Sequence, residues 1–144
     1  MTTDSITTRT ARVWLRADGV IQLVTLPGIQ EGLEDAKENI AAIAGFASEK
    51  KRPVLVGIPG IKGIDREARI YYSSQEATRM MNALALLVDS PVSRVLANFF
   101  IGLYKPPVPT KLFTSEEEAV AWLKNFIELT ERETGESRWR EDKK

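Results

Sequence analysis

Six consecutive residues, Pro53 to Ile58 (PVLVGI), contain no polar side chain, and further glycines follow at Gly60 and Gly63. A strand with one wet face alternates apolar and polar residues, so an unbroken apolar run of this length needs cover on both faces, as in the middle of a parallel sheet. Parallel strands in turn need helix-length connections to carry the chain back. The neighbouring segments have that length. Leu33, Ala36, Ile40, Ile43 and Ala47 recur at three- and four-residue spacing, with Glu34, Asp35, Lys37, Glu38 and Asn39 interposed. This pattern predicts an amphipathic helix over about 30–48 whose polar side is a solvated face.

Other elements follow from local chemistry. Val13 and Leu15, a turn at Ala17-Asp18-Gly19, and the run VIQLVTL predict a β-hairpin, with Asp-Gly supplying positive φ values. After the glycines, Asp65 stands where a helix N-cap belongs, with Glu67 in the favourable first turn. Ser73 with Glu76 is a capping-box pattern that restarts a short helix toward Met81. Residues 82–88 (NALALLV) predict another buried strand. Ser90-Pro91 opens a helix that Pro106-Pro107 stops. Val108 to Phe113 predicts a last strand whose Pro109 points to an edge position or a strand start. Thr114 with Glu117 predicts a second capping box, ahead of a helix lined by Ala119, Val120, Leu123, Phe126 and Ile127. The expected domain spans 11–129. Residues 1–10 are a Thr/Ser-rich flexible lead-in, and 130–144, with ten charges in fifteen residues, a flexible tail in which only Trp139 hints at docking.

Composition removes whole classes of function. With no cysteine and no histidine among 144 residues, disulfides, thiolate nucleophiles, Cys/His zinc sites and imidazole acid/base chemistry are impossible. Twenty basic residues balance twenty acidic ones, which takes away the electrostatic basis for sequence-independent nucleic-acid binding. The first ten residues carry no apolar signal core, and no run reaches the ~18 apolar residues of a membrane span, so a cytoplasmic protein is expected. Neither a cofactor nor a metal is expected.

Three features bear on chemistry. Gly57, Gly60 and Gly63 beside Lys62 do not make a phosphate loop, because that loop needs lysine directly after its last glycine and Lys62 precedes Gly63. Asp65 and Glu67, beside Arg66 and Arg69 at the C-terminal end of a central strand, are the one carboxylate pair placed where α/β ligands bind; ordinary helix-start chemistry is the plainer explanation of them, and no enzyme is expected. The helix over 91–104 carries Val95, Leu96, Phe99, Phe100, Leu103 and Tyr104, more than one narrow stripe. Two readings stand for Val95, Phe99, Phe100, Leu103 and Tyr104: cover by another part of the chain, or a homodimer or apolar-ligand surface.

With the hairpin, the strand exit GIPGIKGID and the later β-α-β-α order placed, the chain resembles the STAS domains of bacterial anti-sigma factor antagonists. In that family a buried strand runs into Asp-Ser-Ser-Gly at a helix start, the second serine accepting phosphate. Ile61, Ile64 and Asp65 match the approach to the motif, whereas Arg66 and Glu67 stand where the serines belong and no glycine follows. The stretch SPVSRVLANFFIGLYKPPVPTKLFTSEEEAVAWL is similar to one in a group of small bacterial STAS-like proteins. The resemblance implies a mixed four- to five-stranded sheet with an N-terminal β-hairpin and about four covering helices. It also implies a non-enzymatic regulatory module that binds a partner protein through Asp65, Arg66, Glu67 and Arg69, without a phosphorylatable serine at the usual place. Ser73 and Ser74 are substitute acceptors under this reading, or simple caps. Related CRAL-TRIO folds keep a carrier or sensor of a small apolar, lipid-like ligand as the alternative.

Overall fold

A computed structural model describes residues 4–103 and 105–127. It contains β1 (Ser5–Thr7), β2 (Ala11–Leu15), β3 (Ile21–Thr25), β4 (Gln30–Glu31), α1 (Leu33–Ala47), β5 (Arg52–Gly57) and β6 (Gly63–Ile64). Then come α2 (Arg66–Tyr72), α3 (Gln75–Thr78), β7 (Met81–Leu87), α4 (Pro91–Leu103), β8 (Thr110–Phe113) and a last helix, α5, over 116–127. Six strands form one mixed sheet in the order β1-β2-β3-β5-β7-β8, and β4 and β6 make a separate two-stranded ladder.

The unbroken apolar run behaves as its composition requires. β5 lies parallel to β3 on one side and to β7 on the other. Its alternate residues feed opposite faces: Val54 packs with Ile21, Leu23, Ile40, Ile43, Leu84 and Leu86, and Leu55 with Val20, Ala83, Ala85, Phe113 and Leu123. Because β3, β5, β7 and β8 are added in one direction, their connections fall on the same side, as a constant crossover hand demands. α1, α3 and α4 accordingly contribute Ile43, Ala77 and Ala97 to the first core. Among the described residues, α5 covers the second face, with Ala119, Val120 and Leu123 buried against Ala83 and Ala85. Those alanines leave room for a helix to lie close.

Several boundaries differ from the sequence expectation. The sheet has six strands rather than four or five, because Ser5–Thr7, assigned to the lead-in, pairs antiparallel with β2. The hairpin turn is a three-residue loop in which only Gly19 has positive φ (+93°), the usual result when a type I turn is followed by a left-handed glycine. Asp18 acts through its side chain, accepting from the Val20 N–H at 3.1 Å. α1 begins at Leu33 rather than near 30, since Gln30 and Glu31 are drawn into the ladder with β6.

Two caps sit one residue later than expected. Ser74, not Ser73, accepts from the Ala77 N–H at 3.1 Å to open α3. Ser115, not Thr114, accepts from the Glu118 N–H at 3.3 Å to open α5. Ser90 caps α4 as expected, its hydroxyl accepting from the Ser93 N–H at 3.1 Å. β8 is an edge strand, and Pro109 just precedes it, its carbonyl accepting from the Leu84 N–H. The tail, with Trp139, lies outside the described residues.

Candidate functional site

The exit from β5 is a stiff elbow. Gly60 has φ +60°, a left-handed conformation that a residue with a Cβ resists, and its carbonyl accepts from the Gly28 N–H at 2.8 Å. The Lys62 N–H donates to Ile29, the β4–β6 ladder follows, and the Asp65 N–H donates to the Glu31 carbonyl at 2.8 Å. A Cβ at Gly63 would stand 2.6 Å from Oε1 of the exposed Gln30 side chain, which would have to swing aside. Asp65 has the extended backbone of an N-cap, but its carboxylate caps no amide of α2. It accepts instead from Gln30 Nε2 at 2.7 Å, because the ladder brings Gln30 alongside.

Of the four residues expected to meet a partner, Asp65, Arg66 and Glu67 face solvent on one surface. Arg69 does not join them. It is half-buried, and its guanidinium Nη1 donates back to the Ile64 carbonyl, tying the first turn of α2 to β6. In its place α2 exposes Ile70, at 44% one of the most exposed large apolar residues. Ser73 and Ser74 donate to the carbonyls of Ile70 and Tyr71, and Ser74 also caps α3.

On α4, Val95 is 60% exposed, while Ser93 and Ala97 are buried. The side chains of Phe99, Phe100 and Leu103, and all of Tyr104, lie outside the described residues.

Beneath the elbow lies a polar cluster that the sequence reading missed. Asn39, assigned to the solvated face of α1, is 0% exposed, and Glu31 is 1% exposed. One Glu31 oxygen accepts from Tyr72 Oη at 2.7 Å; the other accepts from Thr10 Oγ1 at 2.7 Å and Asn39 Nδ2 at 3.0 Å. Asn39 Oδ1 accepts from Thr8 Oγ1 at 2.6 Å. Burial pushes the Glu31 carboxyl above its ordinary range, and the three donors pull against that shift. Burial first, and the neighbouring Glu31 second, push the Tyr72 phenol well up. Outside the cluster, Arg9 grips Asp35 with two bonds of 2.6 Å and holds its carboxyl below the usual range.

The spacing of α1 did carry a signal: positions 36, 39, 40 and 43 share a helical face, so Asn39 lies among apolar residues. Glu31, Thr10 and Tyr72 come from three distant segments, and no local pattern marks them.

The cluster borders an apolar cavity of about 70 Å³ between the helices and the sheet. Its walls include Leu23 and Thr25 from β3, Ile40 and Ile43 from α1, Val56 from β5, Leu84 and Leu86 from β7, and Ala97 from α4. Ile58, Met81, Glu31, Ile64, Arg69 and Tyr72 complete the described lining, so the inner side of the elbow is also a wall of the cavity.

Among known proteins, the family model for a domain of unknown function, DUF7793, matches residues 13–127. No curated protein matches the chain. A solved protein of unknown function from Arthrobacter sp. FB24 is 35% identical, over 77% of this chain and 96% of that one, with a TM-score of 0.32. An uncharacterized DUF3478-family protein with a SpoIIAA-like fold, from Shewanella loihica PV-4, is 15% identical over 85% of this chain and 92% of its own, with a TM-score of 0.47. Apo-SiaC from Pseudomonas aeruginosa is 16% identical over 78% and 98%, with a TM-score of 0.45. No described helix is long and apolar enough to cross a membrane.

Proposed function

The chain belongs to the family of the domain of unknown function DUF7793, and from that premise we propose that it is a non-enzymatic regulatory module, cytoplasmic, which acts by binding a partner protein at the β6–α2 elbow. One observation carries the reading. A rigid, multiply tied turn presents Asp65, Arg66 and Glu67 beside the exposed apolar Ile70. Charge of both signs around an apolar contact on a backbone that has little entropy left to lose is the make-up of a recognition patch. In the STAS resemblance this turn corresponds to the phosphorylated switch. Glu67 there carries a fixed negative charge smaller than that of a phosphoserine, so the patch is read in one constant state.

Arg69 leaves the contact set and becomes a support for the elbow. The homodimer reading of the helix over 91–104 retains Val95 as its described exposed residue.

The test is affinity capture from lysate of the source organism, comparing wild type, Glu67→Ala, Ile70→Asp and, on the opposite face, Glu118→Lys. The reading expects a protein retained by wild type and E118K and lost with I70D, with weaker retention by E67A. The same proteins on all four baits would remove the elbow from the account.

A further inference from the structure

The start of β5, at the opposite end of the sheet from the elbow, borders a recess of about 170 Å³ between the hairpin turn at Ala17-Asp18-Gly19 and the connector from α1. Three successive cations, Lys50, Lys51 and Arg52, line it against one carboxylate. That carboxylate, Asp18, is already engaged, accepting from Arg16 Nε at 3.2 Å and from the Val20 N–H at 3.1 Å. The cations are not. Lys50 and Lys51 are exposed, Arg52 is half-buried, and none of the three forms an ion pair with a described residue. Arg52 is also no ordinary solvated charge. Its Nε is buried without a hydrogen-bond partner, and its Nη1 lies beside Gly19, 3.7 Å from where a Cβ there would stand. Withdrawing a guanidinium from water is unfavourable until an anion meets it. The connector that delivers these cations is itself strained: Ser48 and Glu49 have φ of +52° and +66°, a left-handed conformation that residues with a Cβ resist and that recurs at ligand clamps.

The geometry points to a binding site for a small phosphate-bearing anion, inorganic phosphate or a small phosphate monoester, held by the outer nitrogens of Arg52 and the ammonium groups of Lys50 and Lys51. Charge sets the class. Three unpaired cations beside a carboxylate that Arg16 already neutralises suit a dianion better than a single carboxylate, and a planar guanidinium fork beside two point charges suits a tetrahedral oxyanion. Size permits it: the recess is slightly larger than the ~150 Å³ cavity that accepts benzene, so a phosphate group fits with a short organic remainder against Pro53 and Ile127.

Inorganic phosphate and glycerol phosphate are the probes and acetate the control, each titrated at neutral pH and constant ionic strength with chloride as the balancing ion, and followed by amide NMR of the full chain. Both phosphates are expected to give saturable shifts at Gly19, Lys51 and Arg52, and acetate none. Tighter binding of glycerol phosphate assigns the site to an ester, tighter binding of inorganic phosphate to the free ion. Arg52→Met weakens both about 10-fold, the loss of charge-assisted hydrogen bonds, and abolishes the rise in Tm that phosphate gives the wild type. If R52M does not fold, the double variant Lys50→Met/Lys51→Met, at two exposed side chains, weakens both at least about 3-fold. Shifts that never saturate, acetate shifts equal to those of phosphate, or equal binding of phosphate to wild type and the variant would each overturn the assignment. Loss of partner capture with I70D leaves this result untouched, so the two readings fail separately.

Discussion

Asn39→Asp is the sharpest test of the buried cluster, because it changes almost no volume and replaces with an acceptor the Nδ2 group that donates to Glu31, Thr10 and Tyr72. Asn39 Nδ2 donates to Glu31 Oε2 at 3.0 Å. The substitution puts an acceptor where that donor stood. If both carboxylates stayed ionised, two unit charges about 3 Å apart would repel by about 5 kcal/mol at an effective dielectric of ~20. Protonating one of them at pH 7 costs about 4 kcal/mol, from an ordinary aspartate pKa of ~3.9 and ~1.36 kcal/mol per pH unit. Protonation is the cheaper course, so the pair shares a proton, and the new O–H restores the lost donor.

The native variant then binds one more proton than its unfolded chain. Its stability relative to wild type is lower by about 4 kcal/mol at pH 7 and recovers by about 1.36 kcal/mol per unit on acidification, until the raised Glu31 carboxyl of the wild type takes up its own proton and the two curves run parallel. Urea unfolding between pH 4 and 8, followed by tryptophan fluorescence, reads this directly. A difference that does not change with pH, or one below about 1 kcal/mol at pH 7, would falsify the claim that Asn39 serves as a donor to an ionised Glu31.

Three other outcomes follow from single contacts. Ser74→Ala removes the α3 cap and lowers stability by about 1 kcal/mol, whereas Ser73→Ala, which loses only a bond to the Ile70 carbonyl, costs less than about 0.5 kcal/mol in the same urea titration. Leu123→Ala, at a position 0% exposed and the centre of the α5 contact, lowers stability by about 2–5 kcal/mol and shifts the urea midpoint accordingly. Asp35 has a depressed native pKa, so its contribution is present above the unfolded value of 3.8 and is lost as pH falls through the native one. Asp35→Asn therefore flattens the acid limb of the stability curve. Glu31, raised by burial, works in the opposite sense, its stabilising contribution fading as pH climbs from 4.5 through its native pKa.

Periodicity made the central strand, the hairpin, α1 and α5 legible, because each buries one continuous face or both. β1 escaped because Ser5, Ile6 and Thr7 are all exposed; an edge strand held only by pairing to β2 needs no apolar alternation. The elbow was legible as a position, from the glycines and Asp65, but not as an orientation. Nothing local to Arg69 tells that it turns inward to Ile64, or that the ladder gives Asp65 to Gln30 in place of a capping bond. Thr10, Glu31 and Tyr72 are brought together by tertiary structure alone, and the cavity beside them belongs to no segment.

The spatial order of the strands is also the order in which a ribosome delivers them. Each crossover adds a strand to the edge just formed, so the first core can assemble while the chain is still being made. The second cannot. Val20, Leu55, Ala83, Ala85 and Phe113 gain the cover of Ala119, Val120 and Leu123 only when α5 has emerged. Until then the nascent chain carries a bare apolar sheet face, a natural client for chaperones, and a message truncated before codon 116 would leave it in that state permanently.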